Sequence, residues 1–495
     1  MSEQLNTANN IVFIVFDTAR AKTLLPGLEA GLMPSVAGLA EDGTMFTKAM
    51  TTAPWTLPSH ASLFTGQYPS EHQAHAGSKE FDPEAATMAE QLRSAGYDTG
   101  AVSGNVWISP EFGFDRGFEQ FSMKYDYTWG GADLSQLTQQ QTFKSRSLKF
   151  LELLVGPESA SKTLINGLWG RFFANSDDDG ANHSTSLAID WIDRRKDSES
   201  PFFFFMNYLE PHLEYDPPLK YASAFLPDDA DPDQVESINQ DPWEYIAGNV
   251  DMDEEAFEIL QSLYKAEFSY LDTQVGRLIR FLENVGLYDE TAIIIVGDHG
   301  ENIGDHGLMD HQYCLYDTLT HVPLIIKWPG NIASDTSHDG LVETRDLYPT
   351  ILDIAGLTTK TPKSCSKNSI NPRDLTASSR EYIISEYLVP QPSMDSLREQ
   401  VSEFDPTVER YDRALRSIRT EDWKFIEASD DHKELYRIKT SANENKDIVD
   451  SKPEVASRLQ SILLEDRGQL ERGDLDTASM TDQSRERLEN LGYIQ

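Results

Sequence analysis

Short apolar runs punctuate this chain, and several of them break off at a chemically loaded residue. Ile11-Val-Phe-Ile-Val-Phe16 ends in Asp17-Thr-Ala-Arg20, and Phe202-Phe-Phe-Phe-Met206 leads into Asn207-Tyr-Leu-Glu210-Pro211-His212. Ala292-Ile-Ile-Ile-Val-Gly297 ends in Asp298-His299 and a Gly-rich turn. Runs this short cannot span a membrane, and their unbroken apolar character predicts strands covered on both faces. Leu260, Tyr264, Phe268, Leu271, Val275, Leu278 and Leu282 recur at helical spacing, and Gly286 stops that helix before the Ala292 strand. Strand and helix signals alternate from residue 11 to about 357, which predicts an α/β domain over 1–357 with a large, mostly parallel sheet flanked by helices.

Residues 358–379 are rich in Ser, Thr, Asn and Pro and read as a linker or surface loop. Beyond them, Tyr382-Ile-Ile-Ser, Arg413-Ala-Leu-Arg-Ser-Ile-Arg and Trp423-Lys-Phe-Ile predict short antiparallel strands, followed by a helix from Glu454 to Glu465. A small α+β subdomain is therefore expected over 380–470, with a tail at 471–495. The acidic stretches Asp177–Asp179, Asp228–Asp233 and Asp251–Glu255 lack the spacing of a calcium loop and are expected to be solvated loops.

Ligands of open α/β sheets gather at the carboxyl ends of the strands. Asp17, Asn105, His212 and Asp298 each follow a predicted strand and are expected at one edge. An aspartate beside a histidine at a strand tip offers a hard oxygen and an imidazole on a rigid support, which suits a divalent metal. Between the first and last of these lies Trp55-Thr56-Leu-Pro58-Ser59-His60, closed by Thr65-Gly66. Pro58 fits the first position of a helix and Gly66 its stop, which places Thr56 just ahead of a helix whose N-terminal amides attract anions. Alone, Asp17, Thr56 or Ser59 would read as a helix cap, His299 as a satisfied polar residue, and Asn105 as a turn residue.

Together, strand-Asp17, Thr56-Leu-Pro-Ser-His60 and strand-Asp298-His299-Gly, in this order, resemble the sulfatase family of the alkaline-phosphatase-like superfamily. Gly96 to Asn105, Asn207 to His212, His321 to Gly330, Asp346 to Leu352 and Arg487 to Ile494 are similar to segments of that family as well. The resemblance implies an alkaline-phosphatase-like sandwich with a small C-terminal antiparallel subdomain. It also implies one divalent ion, manganese, zinc or calcium, held by Asp17, Thr56, Asp298 and His299. Typical members carry at position 56 a Cys or Ser oxidised to formylglycine, in a motif ending in Arg. Here the motif has Thr56 and His60, and the two cysteines, Cys314 and Cys365, lie far away.

A threonine sulfate ester lacks the hemiacetal route by which formylglycine hydrate sheds sulfate, whereas a threonine phosphate can be cleared by water attacking phosphorus. Thr56, with Thr18 and Asn105 in place of other residues of typical sulfatases, is similar to the phosphonate monoester hydrolase and phosphodiesterase branch. Such a hydrolase, working through a covalent Thr56 intermediate, is the expected activity. A sulfatase with unmodified threonine, a transferase of phosphoryl-linked groups to glycan or lipid precursors, and a catalytically silent binding protein are the alternatives. Asn105 is expected to donate to a non-bridging oxygen, His60 to orient Thr56 or contact the substrate anion, and His212 and His311 to serve the leaving group.

The balance of 82 acidic against 42 basic residues gives a formal net charge of -40, which excludes nucleic acid and anionic membranes as partners. The substrate is instead expected to be a small or glycan- or lipid-linked anionic ester, and a homo-oligomer is compatible with the sequence. A surplus of this size predicts adaptation to high salt. The absence of a signal-peptide pattern or an integral membrane segment, together with few cysteines, predicts a cytoplasmic protein.

Overall fold

The computed structural model describes residues 9–124, 126, 180–227, 230–357, 369–372, 374–375 and 379–473. The Asp177–Asp179 stretch, most of the 358–379 segment, the tail from 474 on and Cys365 lie outside the described residues. In chain order the strands of the main sheet are β1 (Asn10–Phe16), β2 (Thr44–Met50), β3 (Asp98–Ser103), β4 (Gln120–Met123), β5 (Phe202–Tyr208) and β6 (Thr291–Gly297). After a small hairpin of β7 (Asn302–Ile303) and β8 (Met309–Asp310) come β9 (His321–Lys327), β10 (Thr336–His338) and β11 (Val342–Glu343). Among the described residues nine strands form the sheet, in the order β10-β2-β9-β6-β1-β5-β3-β4, with β11 also on β2. All pairings are parallel except those of β9, which runs against β2 and β6. The α/β architecture with a mostly parallel sheet stands as the sequence predicts.

Strand β1 is the centre of this sheet, and its residues alternate between two cores. Ile11, Phe13 and Val15 pack with Trp55, Phe64 and Phe205, whereas Val12, Ile14 and Phe16 pack with Tyr264, Phe268 and Leu271 of the helix Glu254–Asn284. Both faces are therefore dry, which is why the strand reads as continuous hydrophobic sequence rather than alternation. The long helix begins where the sequence predicts an acidic loop. Asp253 accepts a hydrogen bond from the Ala256 amide at 2.9 Å, and Glu254 and Glu255 occupy the first turn, where negative charge complements the helix dipole. Asp231 caps the short helix Pro232–Glu236 in the same way. These acids are helix-start signals, and the reading of Asp251–Glu255 and of residues 231–233 as plain loops is corrected accordingly.

A second, antiparallel sheet of β12 (Tyr382–Tyr387), β13 (Leu415–Thr420), β14 (Trp423–Ala428) and β15 (Lys433–Arg437) follows, in that order. The helix Pro453–Arg467 lays Ala456, Leu459 and Leu463 against Ile384, Ile418, Phe425 and Leu435. The charged run of β15, Lys-Glu-Leu-Tyr-Arg, hid that strand from the apolar pattern. No helix among the described residues is long and apolar enough to cross a membrane.

The small sheet is tied to the main one by charge as well as by packing. Lys424 on β14 is buried, with its Nζ 2.7 Å from Asp317 Oδ1, 3.1 Å from Glu444 Oε1 and 3.1 Å from Thr320 Oγ1 beside the start of β9. Breaking a buried ion pair strands its partners, at about 3–5 kcal/mol. Lys424→Met should therefore lower stability by about 3–5 kcal/mol in chemical denaturation; a loss below about 1 kcal/mol, in the range of exposed pairs, would show that the network does not hold the subdomain.

Candidate active site

The register of the central strands builds the site. Phe16 stands opposite Tyr208 of β5 and Gly297 of β6, so the chain leaves all three strands at one level. Asp17 and Asp298 thus emerge side by side, and the Asp17 amide is pinned to the Tyr208 carbonyl at 3.1 Å. Thr18 then takes a left-handed turn with φ 56°, a conformation uncommon for a β-branched residue, and aims its amide at Asp298 Oδ1, 3.1 Å away. The Tyr264 hydroxyl, donating to the Thr18 carbonyl at 2.7 Å, and the Thr18 hydroxyl, donating to the Pro211 carbonyl at 3.0 Å, hold the turn.

Thr56 comes from the other side of β1. The helix Thr56–Thr65 starts at Thr56 itself, two residues earlier than the sequence predicts, with Pro58 in its first turn, where a missing amide hydrogen leaves no hydrogen bond unmade. Gly66 ends it with φ 70° as expected. Ser59 fastens the helix to the β6 tip by donating to the Asp298 carbonyl at 2.7 Å. The result is a buried hydroxyl at a convergence point: Thr56 Oγ1 lies 3.5 Å from Asp17 Oδ1, 3.2 Å from His299 Nε2 and 3.5 Å from Asn105 Nδ2.

The neighbours are themselves fixed. His299 Nδ1 lies 2.9 Å from the Gly300 carbonyl, so that nitrogen donates and Nε2 turns its lone pair inward, 3.3 Å from Asp298 Oδ2 and 3.7 Å from Asp17 Oδ1. The Asn105 amide accepts from Trp107 N at 2.9 Å and donates to Asp17 Oδ2 at 2.7 Å, which sets its orientation. His60 is turned back onto its own helix, with Nδ1 2.9 Å from the Thr56 carbonyl and Nε2 3.4 Å from Asn207 Nδ2. The contact that this geometry shows for His60 is with the backbone of Thr56. Its ring packs edge-on to Phe205 and Phe114, and burial lowers its pKa to about 4, so it is neutral.

On the opposite flank His311 lies over His299, ring centroids 4.5 Å apart, and His212 stands edge-on to His311 at 5.3 Å. Burial, reinforced by the charge of His311, drops His212 to about 3. Burial opposes charge on His311 too, but Asp310 against its Nδ1 and Glu301 nearby hold it well above the ordinary histidine range. Every residue singled out from the sequence, Asp17, Thr56, His60, Asn105, His212, Asp298, His299 and His311, falls in this one buried cluster. Sequence reasoning missed Asn207, Glu301 and Asp310. The last two were signalled only by standing within two residues of His299 and His311.

Asp17, Asp298 and His299 offer ligand atoms within 4.8 Å of one another, with the Thr56 hydroxyl beside them. These residues fit a divalent cation, because Asp298 Oδ2 is buried without a hydrogen-bond partner and points at His299 Nε2. Without a cation the two acids oppose each other. Burial pushes Asp17 up to about 6, and burial plus the Asp17 charge pushes Asp298 well above the carboxylate range.

A sheet of this topology, with such a cluster at the carboxyl ends of β1 and β6, defines an alkaline-phosphatase-like α/β protein. The chain belongs to the sulfatase family: the Sulfatase family model matches residues 9–357, and that for the C-terminal region of N-sulphoglucosamine sulphohydrolase matches residues 304–469. An arylsulfatase of Clostridium perfringens is 26% identical over 371 residues, covering 70% of this chain and 74% of its own. A phosphonate monoester hydrolase from Silicibacter pomeroyi shares the fold at a TM-score of 0.66 and 21% identity, over 96% of this chain and 98% of that one. An enzyme solved with its substrate, D-glucosamine-2-N,6-O-disulfate, shares it at 0.65 and 19% identity, over 96% of this chain and all of its own (100%).

A cation must displace the proton that Asp17 carries below about pH 6. Because burial raises this carboxyl and Asp298 beside it, affinity for Mn2+ should already be falling as the pH drops through about 6, by about tenfold or more per unit below it. Calorimetric titration from pH 7.5 to 5 checks this; a fall that begins only near pH 4 would mean that Asp17 titrates as an ordinary carboxylate.

Proposed function

We propose that this protein is a metal-dependent hydrolase of phosphodiesters or phosphonate monoesters that acts through a covalent intermediate on Thr56. The observation that carries the reading is the Thr56 hydroxyl at the focus of Asp17, His299 and Asn105, with no cysteine among the described residues around it. Cys314 is packed against Leu308 and Leu319 and contacts Asn302. Asp17, Asp298, His299 and Thr56 would hold the cation, which when bound supplies Lewis-acid stabilisation of negative charge.

Once its proton is lost, Thr56 Oγ1 attacks phosphorus, and the bond to the ester oxygen breaks in line. The departing oxygen takes a proton or meets positive charge at the His212–His311 corner. Water then attacks phosphorus from the vacated side, the P–Oγ bond breaks, and the threonine hydroxyl is restored. His60 holds the Thr56 backbone through the reaction. Asn105 Nδ2 faces both Asp17 and Thr56, close enough to serve a non-bridging oxygen of the reacting group. Losing one such donor costs about 3 kcal/mol.

The second reading, a sulfuric ester hydrolase with unmodified threonine, is favoured by the arylsulfatase among the relatives. Rates on bis-p-nitrophenyl phosphate and p-nitrophenyl sulfate, with added Mn2+, separate the two. Faster diester turnover that vanishes in Thr56→Ala and falls about a hundredfold in kcat for Asn105→Ala supports the first. Preferred turnover of the sulfate ester establishes the second, and full activity in Thr56→Ala would sink both. The formal net charge of -40 supports a further part of the reading, a protein tuned to high salt. Its Tm should climb as KCl is raised to molar levels, and a flat or falling Tm would remove that part.

A further inference from the structure

We propose a second divalent-cation site, formed by Glu301, Asp310 and His311, beside the Asp17–Asp298–His299 cluster. It rests on the reading of the first cluster as a metal centre and extends it, identifying the positive charge at the leaving-group corner as a cation.

The hairpin of β7 and β8 builds the second cluster. Its ladder pairs Asn302 with Asp310 and Ile303 with Met309, so Glu301 and His311 stand opposite each other one step beyond its open end. Asn302 Nδ2 donates to the Asp310 carbonyl at 3.0 Å, and Thr318 donates to Asn302 Oδ1 at 2.7 Å, which locks the hairpin end. Asp310 takes a left-handed conformation, φ 68°, and bends its carboxylate back onto His311, accepting from the His311 amide at 2.6 Å. The three side chains offer ligand atoms within 4.8 Å of one another, and their exposures are 0% for Glu301, 5% for Asp310 and 0% for His311.

A packed charge cluster would not by itself make a site, but Glu301 adds an independent sign. Both of its carboxylate oxygens are buried without a hydrogen-bond donor among the described residues, and His311 Nδ1 stands 3.9 Å from Oε1. Buried carboxylates in folded proteins are paired or bind metal. Arg20, whose charge also reaches Glu301, is committed to Asp305 at 2.9 Å. A cation at the first cluster balances Asp17 and Asp298; at the second, Asp310 lies against His311, and Glu301 is the carboxylate left without a hydrogen-bonded counterpart among the described residues. Oxygen donors with one imidazole suit manganese or zinc.

The test is metal stoichiometry on the full chain, stripped by chelator, reloaded with Mn2+ alone, desalted and analysed by mass spectrometry. The wild type should hold two equivalents, with an EPR spectrum broadened by coupling between neighbouring ions. Asp310→Asn and Glu301→Gln should each hold one, with an isolated-ion spectrum. One equivalent in the wild type, kept in Asp310→Asn and lost in Asp298→Asn, would overturn the second site and leave the first standing. No bound Mn2+ overturns both. Two equivalents without coupling, or unchanged in both hairpin variants, would mean adventitious binding and also overturn the proposal. The wild-type count and spectrum decide the matter even where a variant fails to fold.

Discussion

Burial of like charges is the constraint on which the rest of this structure depends. Asp17 and Asp298 leave adjacent parallel strands at one level because β1 pairs in register with both β5 and β6, and neither carboxylate reaches solvent. Two such groups cannot both ionise in a dry environment without compensation. The surrounding residues meet this demand only in part. Thr18 and His299 amides satisfy one oxygen of Asp298, Asn105 satisfies one of Asp17, and Asp298 Oδ2 remains for something else. The Thr18 left-handed turn, the Tyr264 hydroxyl and the Ser59 hydroxyl are spent on holding this arrangement, which ties the fold's centre directly to its chemistry.

Rigidity around Thr56 follows from the same economy. Its helix is buried along its whole length, pinned to β6 through Ser59 and braced by the neutral His60 beneath it. A hydroxyl held this way has little freedom left to lose, which is the condition for efficient attack on a positioned substrate in the proposed reaction. The flank made by His212, His311, Asp310 and Glu301 is built differently, from a two-residue-per-strand hairpin and loop segments rather than from the sheet. The Thr56 hydroxyl thus sits on the stiff scaffold, while the opposite flank depends on packing between loops.

The chain joins features of two groups of similar proteins. It shares its family with an arylsulfatase relative and its fold with a phosphonate monoester hydrolase, and it carries a threonine at position 56. The physical difference between them is the way the covalent intermediate is discharged. Formylglycine hydrate expels sulfate with the help of a second oxygen on the nucleophile carbon, and a threonine carbon has none. The side chain at one position therefore carries more information about the reaction than the overall fold, which serves both.

Most of the architecture was legible because both faces of the main sheet are dry. β1, β5 and β6 are unbroken apolar runs, and the long helix carries its stripe at helical spacing, so local sequence and tertiary role coincide. Where that coincidence fails, sequence reasoning failed with it: three of the five residues of β15 are charged, and the acids from Asp253 to Glu255 cap and start a helix rather than line a loop. The residues of the site could be named from their positions at strand ends and from one motif. Their partners could not, because Asn207, Glu301 and Asp310 acquire meaning only through side-chain direction and through the hairpin that sets Glu301 against His311. Sequence alone determined which residues stand at the edge, since strand ends are local. Which oxygens meet, which stay unpaired and which histidine keeps its charge were decided by tertiary structure, since those depend on the register between strands distant in the chain and on the water excluded when they pair.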